Sequence, residues 1–266
     1  MDLLLVFPAS LIVFALGASI GSFINVVVYR LPIRLSILWP PSRCPHCLNK
    51  LKAYDNLPVL GWLLLKGRCR YCKTRISSRY PIVEGVTAIL FVVVFWIFKF
   101  SLLTLGYWAF CSWLLALSLI DLDTMTLPNP LTQSGLVLGI LFHIVLGFGS
   151  EASLSGLAKQ VMTGVVGAVL GLWLFDAIAI LGYFVLRKDG MGGGDVKLAA
   201  MMGAWLGWRY LLLAIFIAAV AGVLVARKTF GKKKPIPFGP FLALGAVVSL
   251  FYGKAILSTY LHLMFS

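Results

Sequence analysis

The stretch 190-GMGGGDVKLAAMMGAWLG-207 decides how many times this chain crosses a membrane. Four of its first five residues are glycine, one carboxylate follows at Asp195, and an apolar run begins after Lys197. The run over 197–208 is short, ~18 Å at 1.5 Å per residue, so it needs some of the glycines or a thinned bilayer to cross. A second apolar run, 209–226, follows directly, and then come the five cations of 227-RKTFGKKKP-235. If both runs cross, those cations return to the side that holds the other basic loops. If the first only dips in and out, they land on the opposite side. Basic residues hold loops on the cytoplasmic face, so both runs are expected to cross.

The rest of the chain sets that count in context. It has 266 residues, of which 61% are hydrophobic and 12% charged, and its mean hydropathy is +0.98. Soluble domains are closer to half apolar and a quarter charged. The net charge is +14, from 23 Lys and Arg against 9 Asp and Glu. In a chain of apolar spans this balance marks cytoplasmic loops, and no nucleic-acid partner is expected. Apolar segments fall near 4–28, 80–98, 102–120, 131–148, 160–186, 197–208, 209–226 and 237–263. The fold expected is an all-α polytopic membrane protein of about eight transmembrane helices. Residues 1–28 form the first of these and read as a retained span, with no basic residue before Arg30. Residues 29–79 form a cytoplasmic loop domain, and 80–266 a seven-helix membrane core. No internal repeat is read.

Loop 29–79 carries eleven Lys and Arg against one acid, Asp55. With that loop inside, the N-terminus lies outside. The loop 147-GFGSEASLSG-156 has no Lys or Arg and suits the outer face. Counting spans from there puts Asp121 and Asp195, far apart in sequence, at the cytoplasmic ends of two spans.

The basic loop also holds 44-CPHC-47 and 69-CRYC-72. Cys44, Cys47, Cys69 and Cys72 have the spacing of a tetrahedral zinc site. Disulfides are rare in the cytoplasm, and a metal supplies folding energy that a small basic loop lacks. Four protein ligands leave no open position, so the zinc is expected to be structural. A redox Cys-x-x-Cys pair is the alternative. His46 lies inside the first pair and is a possible substitute ligand. Cys111 lies mid-span and reads as a small buried hydrophobe.

Asp195 follows glycines that fit neither a P-loop nor a dinucleotide fingerprint. It caps the helix that starts there, or it does chemistry. Asp121, in 117-LSLIDLDTMTLPNP-130, closes an apolar span, where an acid works against the helix dipole and needs an offset. Two carboxylates at one membrane face can share a proton, one taking a proton from water while the other protonates a leaving group. Glycines 192, 193 and 194 would let a substrate backbone approach closely. An ion-coupled transporter also uses glycine-broken helices, but its acids sit at the midplane and its halves repeat. A zinc-scaffolded assembly protein without chemistry is the third reading. No His-Glu-x-x-His supports a metalloprotease.

Gly192-Gly193-Gly194-Asp195 fits the Gly-x-Gly-Asp signature of intramembrane aspartyl proteases. The chain as a whole resembles the bacterial type IV prepilin peptidase family of leader peptidases and N-methyltransferases. The likeness runs in order through 17-GASIGSFINVVVYRLP-32, the paired Cys-x2-Cys loop, 57-LPVLGWLLLKGRCRYCKTRISSRYPIVE-84, 120-IDLDTMTLPN-129, 190-GMGGGDVK-197 and 237-PFGPFLALG-245. The resemblance implies a multi-pass protein of the bacterial inner membrane. It implies cleavage of the short basic leader of type IV prepilins and type II secretion pseudopilins at the cytoplasmic face. It further implies methylation of the new N-terminus with S-adenosylmethionine as methyl donor. The catalytic pair carries over to Asp121 and Asp195, with Asp123 the rival to Asp121. Glu84, at the entry to the second span, is a candidate for the methyl transfer by location; a helix-start acid is the alternative. Asp55, Glu84 and Asp189 are the acids available to meet a basic leader.

Overall fold

In lipid a long apolar run must satisfy its backbone internally, and the α-helix does this. The computed structural model describes residues 3–150, 154–186, 192–228 and 236–265. Its helices are α1 (Leu3–Arg30), α2 (Leu60–Leu64), α3 (Arg79–Phe98), α4 (Leu102–Thr124), α5 (Asn129–Ser150), α6 (Leu154–Leu186), α7 (Gly193–Lys228) and α8 (Gly239–Phe265). All but the short α2 are long and apolar enough to cross a membrane. No strand occurs among the described residues, only two isolated β-bridges in the loop after α1.

The chain forms two units, Met1–Ala116 and Leu117–Ser266. In the first, α1 packs on α3 through two glycines one helical turn apart. A side chain at Gly17 would begin 2.7 Å from Ala88 Cα, and one at Gly21 would begin 2.7 Å from Glu84 Cα. Lipid tails are as apolar as leucine, so close backbone contact of this kind drives helix association in membranes. Val13, Phe91 and Phe95 fill the contact. Trp108 stacks on Phe91 at 5.0 Å and donates its indole N–H to the Phe91 carbonyl at 2.9 Å.

In the second unit, α7 is not one rod. Gly207 has φ 71° and ψ 170°, which breaks the helix into limbs 193–206 and 208–228. Asp195 lines the same cleft as Phe238. A side chain at Gly222, on the other limb, would begin 3.5 Å from the Phe238 ring. A straight helix would separate those two positions by about 40 Å. The chain therefore reverses at Gly207. The turn falls one residue from the boundary expected at 208/209, and it divides α7 into the two runs expected there.

The first limb lies on α6 with almost no side chain between them. A Cβ on Gly203 would collide with the Gly167 carbonyl, one on Gly167 with the Gly203 carbonyl, and one on Gly171 with the Ala199 carbonyl. On the α5 side, Trp205 donates its indole N–H to the Gly135 carbonyl at 2.8 Å. The second limb runs along α8, where Gly245 meets the Ala214 carbonyl. Met201, Met202, Leu198, Leu211 and Leu242 are fully buried in this unit.

Candidate active site and metal centre

The second unit contains a cleft of about 420 Å3. Asp121 enters it from the last turns of α4, and Asp195 from the first turn of α7. Gly192, Gly193, Gly194, Lys197, Leu127 and Phe238 also line it. The structure thus brings both aspartates to one site. Asp121 is buried, at 5% exposure, whereas Asp123, two residues on, is exposed and is not among the residues lining the cleft.

The offset that an acid at a helix C-terminus needs comes from a residue sequence reasoning passed over. Gly239, the first residue of α8, donates its backbone N–H to Asp121 Oδ2 at 2.9 Å. The positive end of α8 thereby faces the carboxylate. The sequence signal was available: glycine followed by proline at the head of an apolar run is a helix start. Asp195 stands at the N-terminal end of its own helix, where the dipole favours an acid.

The three glycines before Asp195 differ in surroundings. Among the described residues, nothing lies within 4 Å of a side chain built on Gly193, and only the Gly194 nitrogen, at 4.0 Å, meets one on Gly192. One on Gly194 would begin 3.0 Å from Leu127 Cβ. Gly192 and Gly193 leave backbone open at the cleft, while Gly194 allows close packing on Leu127. Beyond Asp195, Lys197 donates to Asn129 Oδ1 at 2.6 Å, which ties the start of α7 to the start of α5. Neither residue of this pair was singled out from the sequence.

The four loop cysteines, in the first unit, converge. Their sulfurs all lie within 4.8 Å of one another, without His46 in the set. Cys44 and Cys72 sulfurs are 3.7 Å apart, and those of Cys47 and Cys69 3.9 Å. A tetrahedral zinc with Zn–S bonds of ~2.3 Å needs sulfur–sulfur edges of about 3.8 Å, so these four residues fit that ion. Cys111 is buried in α4, away from this cluster.

The two Cys-x2-Cys segments share one local geometry. Residues 43-RCPHCLNK-50 and 68-RCRYCKTR-75 fold as two copies of one turn. Cys44 and Cys69 amides donate to the Asn49 and Thr74 carbonyls, and the Leu48 and Lys73 amides donate back to Cys44 and Cys69. Leu48 and Lys73 both take left-handed φ, 58° and 59°. A bridge closes each copy, Arg43 to Lys50 and Arg68 to Arg75. Eight residues is too short a unit, with too few identities, to stand out as a repeat before the shared geometry is seen.

The acids expected to meet a basic leader are already engaged. Asp55 accepts from Arg70 Nε at 3.0 Å and from its Nη2 at 2.6 Å. That hydrogen-bonded guanidinium holds the Asp55 carboxyl below the ordinary carboxylate value. Arg70 also lies 4.9 Å over the Tyr54 ring. Glu84 is buried in α3, and its Oε2 accepts the Val59 N–H at 2.6 Å. Ser22 of α1 hydrogen-bonds it as well. Val59 has φ 61°, a costly conformation for a β-branched residue, at the start of α2. Glu84 thus pins the metal loop to the α1/α3 pair. Asp189 lies outside the described residues.

Comparison with known proteins adds to this picture. Residues 15–98 match the bacterial peptidase A24 N-terminal domain family, and residues 108–227 match the type IV leader peptidase family. Relatives named prepilin leader peptidase/N-methyltransferase include one from Stutzerimonas stutzeri, 38% identical over 93% of this chain and 92% of its own length. Another, from Aeromonas hydrophila, is 38% identical over 94% and 93%. A third, from Pectobacterium carotovorum subsp. carotovorum, is 35% identical over 88% and 90%. No solved structure matches the chain.

Proposed function

The chain belongs to the type IV leader peptidase family, and we propose that it removes the leader from prepilins and pseudopilins and N-methylates the new N-terminus. The observation that carries the peptidase reading is the meeting of Asp121 and Asp195 in one cleft. Two carboxylates in one site share a proton, because both cannot ionise at close range. One takes a proton from water as it attacks the scissile carbonyl, and the other delivers a proton to the leaving amine. The Gly239 N–H occupies Oδ2 of Asp121, which helps to hold that carboxylate in place. Open backbone at Gly192 and Gly193 gives an extended substrate strand room beside the pair.

The substrate in this reading is a helix in the bilayer whose scissile bond lies at the cytoplasmic interface. The basic loops hold that face inside, put the N-terminus outside and make the protein a multi-pass resident of the bacterial inner membrane. Cys44, Cys47, Cys69 and Cys72 would hold a structural zinc, which supplies folding energy to the loop when bound. The methyl-transfer reading rests on the relatives' shared name and on the matched N-terminal region. S-adenosylmethionine is the donor proposed, with no residues assigned to it.

Co-expression with a tagged prepilin, followed by mass measurement of the product, tests the peptidase reading. Asp121→Asn and Asp195→Asn are expected to leave the leader on, and Asp123→Asn to remove it. Loss in Asp123→Asn with retention in Asp121→Asn would move the pair by two residues. Full cleavage by Asp195→Asn would overturn the reading.

A further inference from the structure

Lys197 is oddly placed. It is a cation near the start of a helix, where the dipole favours acids, and it lines the same cleft as Asp121 and Asp195. An ammonium free to reach a carboxylate would pair with it. Yet Lys197 forms no ion pair with either aspartate among the described residues. Its ammonium instead donates to Asn129 Oδ1 at 2.6 Å. Asn129 opens α5 between Pro128 and Pro130, whose rings restrict the backbone and aim the carboxamide.

We propose that Asn129 is a positioning residue that holds the Lys197 ammonium off the aspartate pair. This rests on the peptidase reading above. The chemistry asks for it, because a shared proton requires one neutral carboxyl. A cation close to a carboxylate favours its ionised form. Lys197 brought against the pair would strip the shared proton at a lower pH. Asparagine suits the task because it accepts a hydrogen bond without adding a charge to a site that titrates.

The charged groups facing the pair among the described residues are few. α4 contributes Asp121 itself, with exposed Asp123 two residues on, and α7 contributes Asp195 and Lys197. The start of α8 offers the uncharged Gly239 amide and Phe238. α5 offers Asn129, also uncharged. From α6, the Phe175 ring lies 6.5 Å from that of Phe238, and exposed Asp176 follows it in sequence.

The test is a double-mutant cycle on the purified full-length protein in lipid nanodiscs, using a tagged prepilin and measuring kcat and KM from pH 5 to 9. In Asn129→Leu the freed ammonium is expected to move the alkaline limb of the kcat profile about one unit toward acid and lower kcat at neutral pH about tenfold. In a Lys197→Met background the same Asn129→Leu change is expected to leave the profile where Lys197→Met alone puts it. Thermal unfolding of each variant separates this from loss of fold. An Asn129→Leu deficit that keeps the wild-type pH profile, or that persists undiminished in Lys197→Met, would overturn the proposal. Absence of cleavage by folded wild-type protein would overturn the peptidase reading beneath it, which is a distinguishable outcome.

Discussion

Gly239 gives its backbone N–H to Asp121 Oδ2 at 2.9 Å, and that oxygen also stands 2.6 Å from where a Gly239 side chain would begin. The carboxylate and the missing side chain occupy one another's space. Gly239→Ala is therefore expected to displace Asp121 by a fraction of an ångström while leaving the apolar contacts of α8 intact. Small misplacements of a catalytic group cost on the order of 100-fold. The expected result is a kcat lower by about that factor, with KM and thermal stability near wild type, read from prepilin cleavage kinetics.

The Asp55–Arg70 pair fastens the second cysteine turn to the segment before α2. The Asp55 side chain is only 1% exposed, against 41% for Arg70. Asp55→Asn should destabilise the loop modestly at neutral pH, measured as a lower midpoint of thermal zinc release. The Asp55 carboxyl titrates below its ordinary value of 3.8 because Arg70 hydrogen-bonds it. Its contribution is complete above that value and is lost as pH falls through the lower folded-state value. The gap between wild type and Asp55→Asn should therefore stay constant as pH falls, down to the pH at which the cysteines protonate and release the metal.

Metal removal should unfold the loop and spare the spans. Cys44→Ser or a strong chelator is expected to abolish zinc binding and open residues 31–78 to protease. The helical content of α4 to α8 should stay intact. A loop that remained protease-resistant without metal would count against a structural zinc.

The Gly167–Gly203 contact leaves room for no side chain on either helix. Gly167→Val is expected to force α6 from the first limb of α7 and lower the yield of folded protein severalfold, measured by size-exclusion profile. Gly193→Ala, with nothing within 4 Å, should leave that profile unchanged.

The helical membrane fold, the cysteine cluster and the meeting of the two acids could be read from charge and spacing, because bilayer insertion and metal coordination act on residue type and spacing alone. Three features could not. The reversal at Gly207 sits in 203-GAWLGWRY-210, which has no polar turn residue, since a turn buried between helices needs none. The hold on Glu84 depends on a left-handed Val59, a conformation that no sequence rule assigns to valine. Gly239 is marked as a helix start by the proline after it, but the carboxylate its amide meets lies 118 residues away and has no local signal. Asp121 and Asp123 are alike as letters, and burial alone separates them.

The first limb of α7, residues 193–206, is about 21 Å long at 1.5 Å per residue, while a bilayer's hydrocarbon core is about 30 Å thick. The first limb is therefore shorter than that core is thick, and shorter than the α5 and α6 helices it packs against. A membrane drawn thin around that short limb would relieve the mismatch at modest cost. The acyl-chain length of the surrounding lipid then becomes a variable of the enzyme. It tilts the limb that carries Asp195, so turnover should depend on lipid thickness even where no lipid touches the cleft.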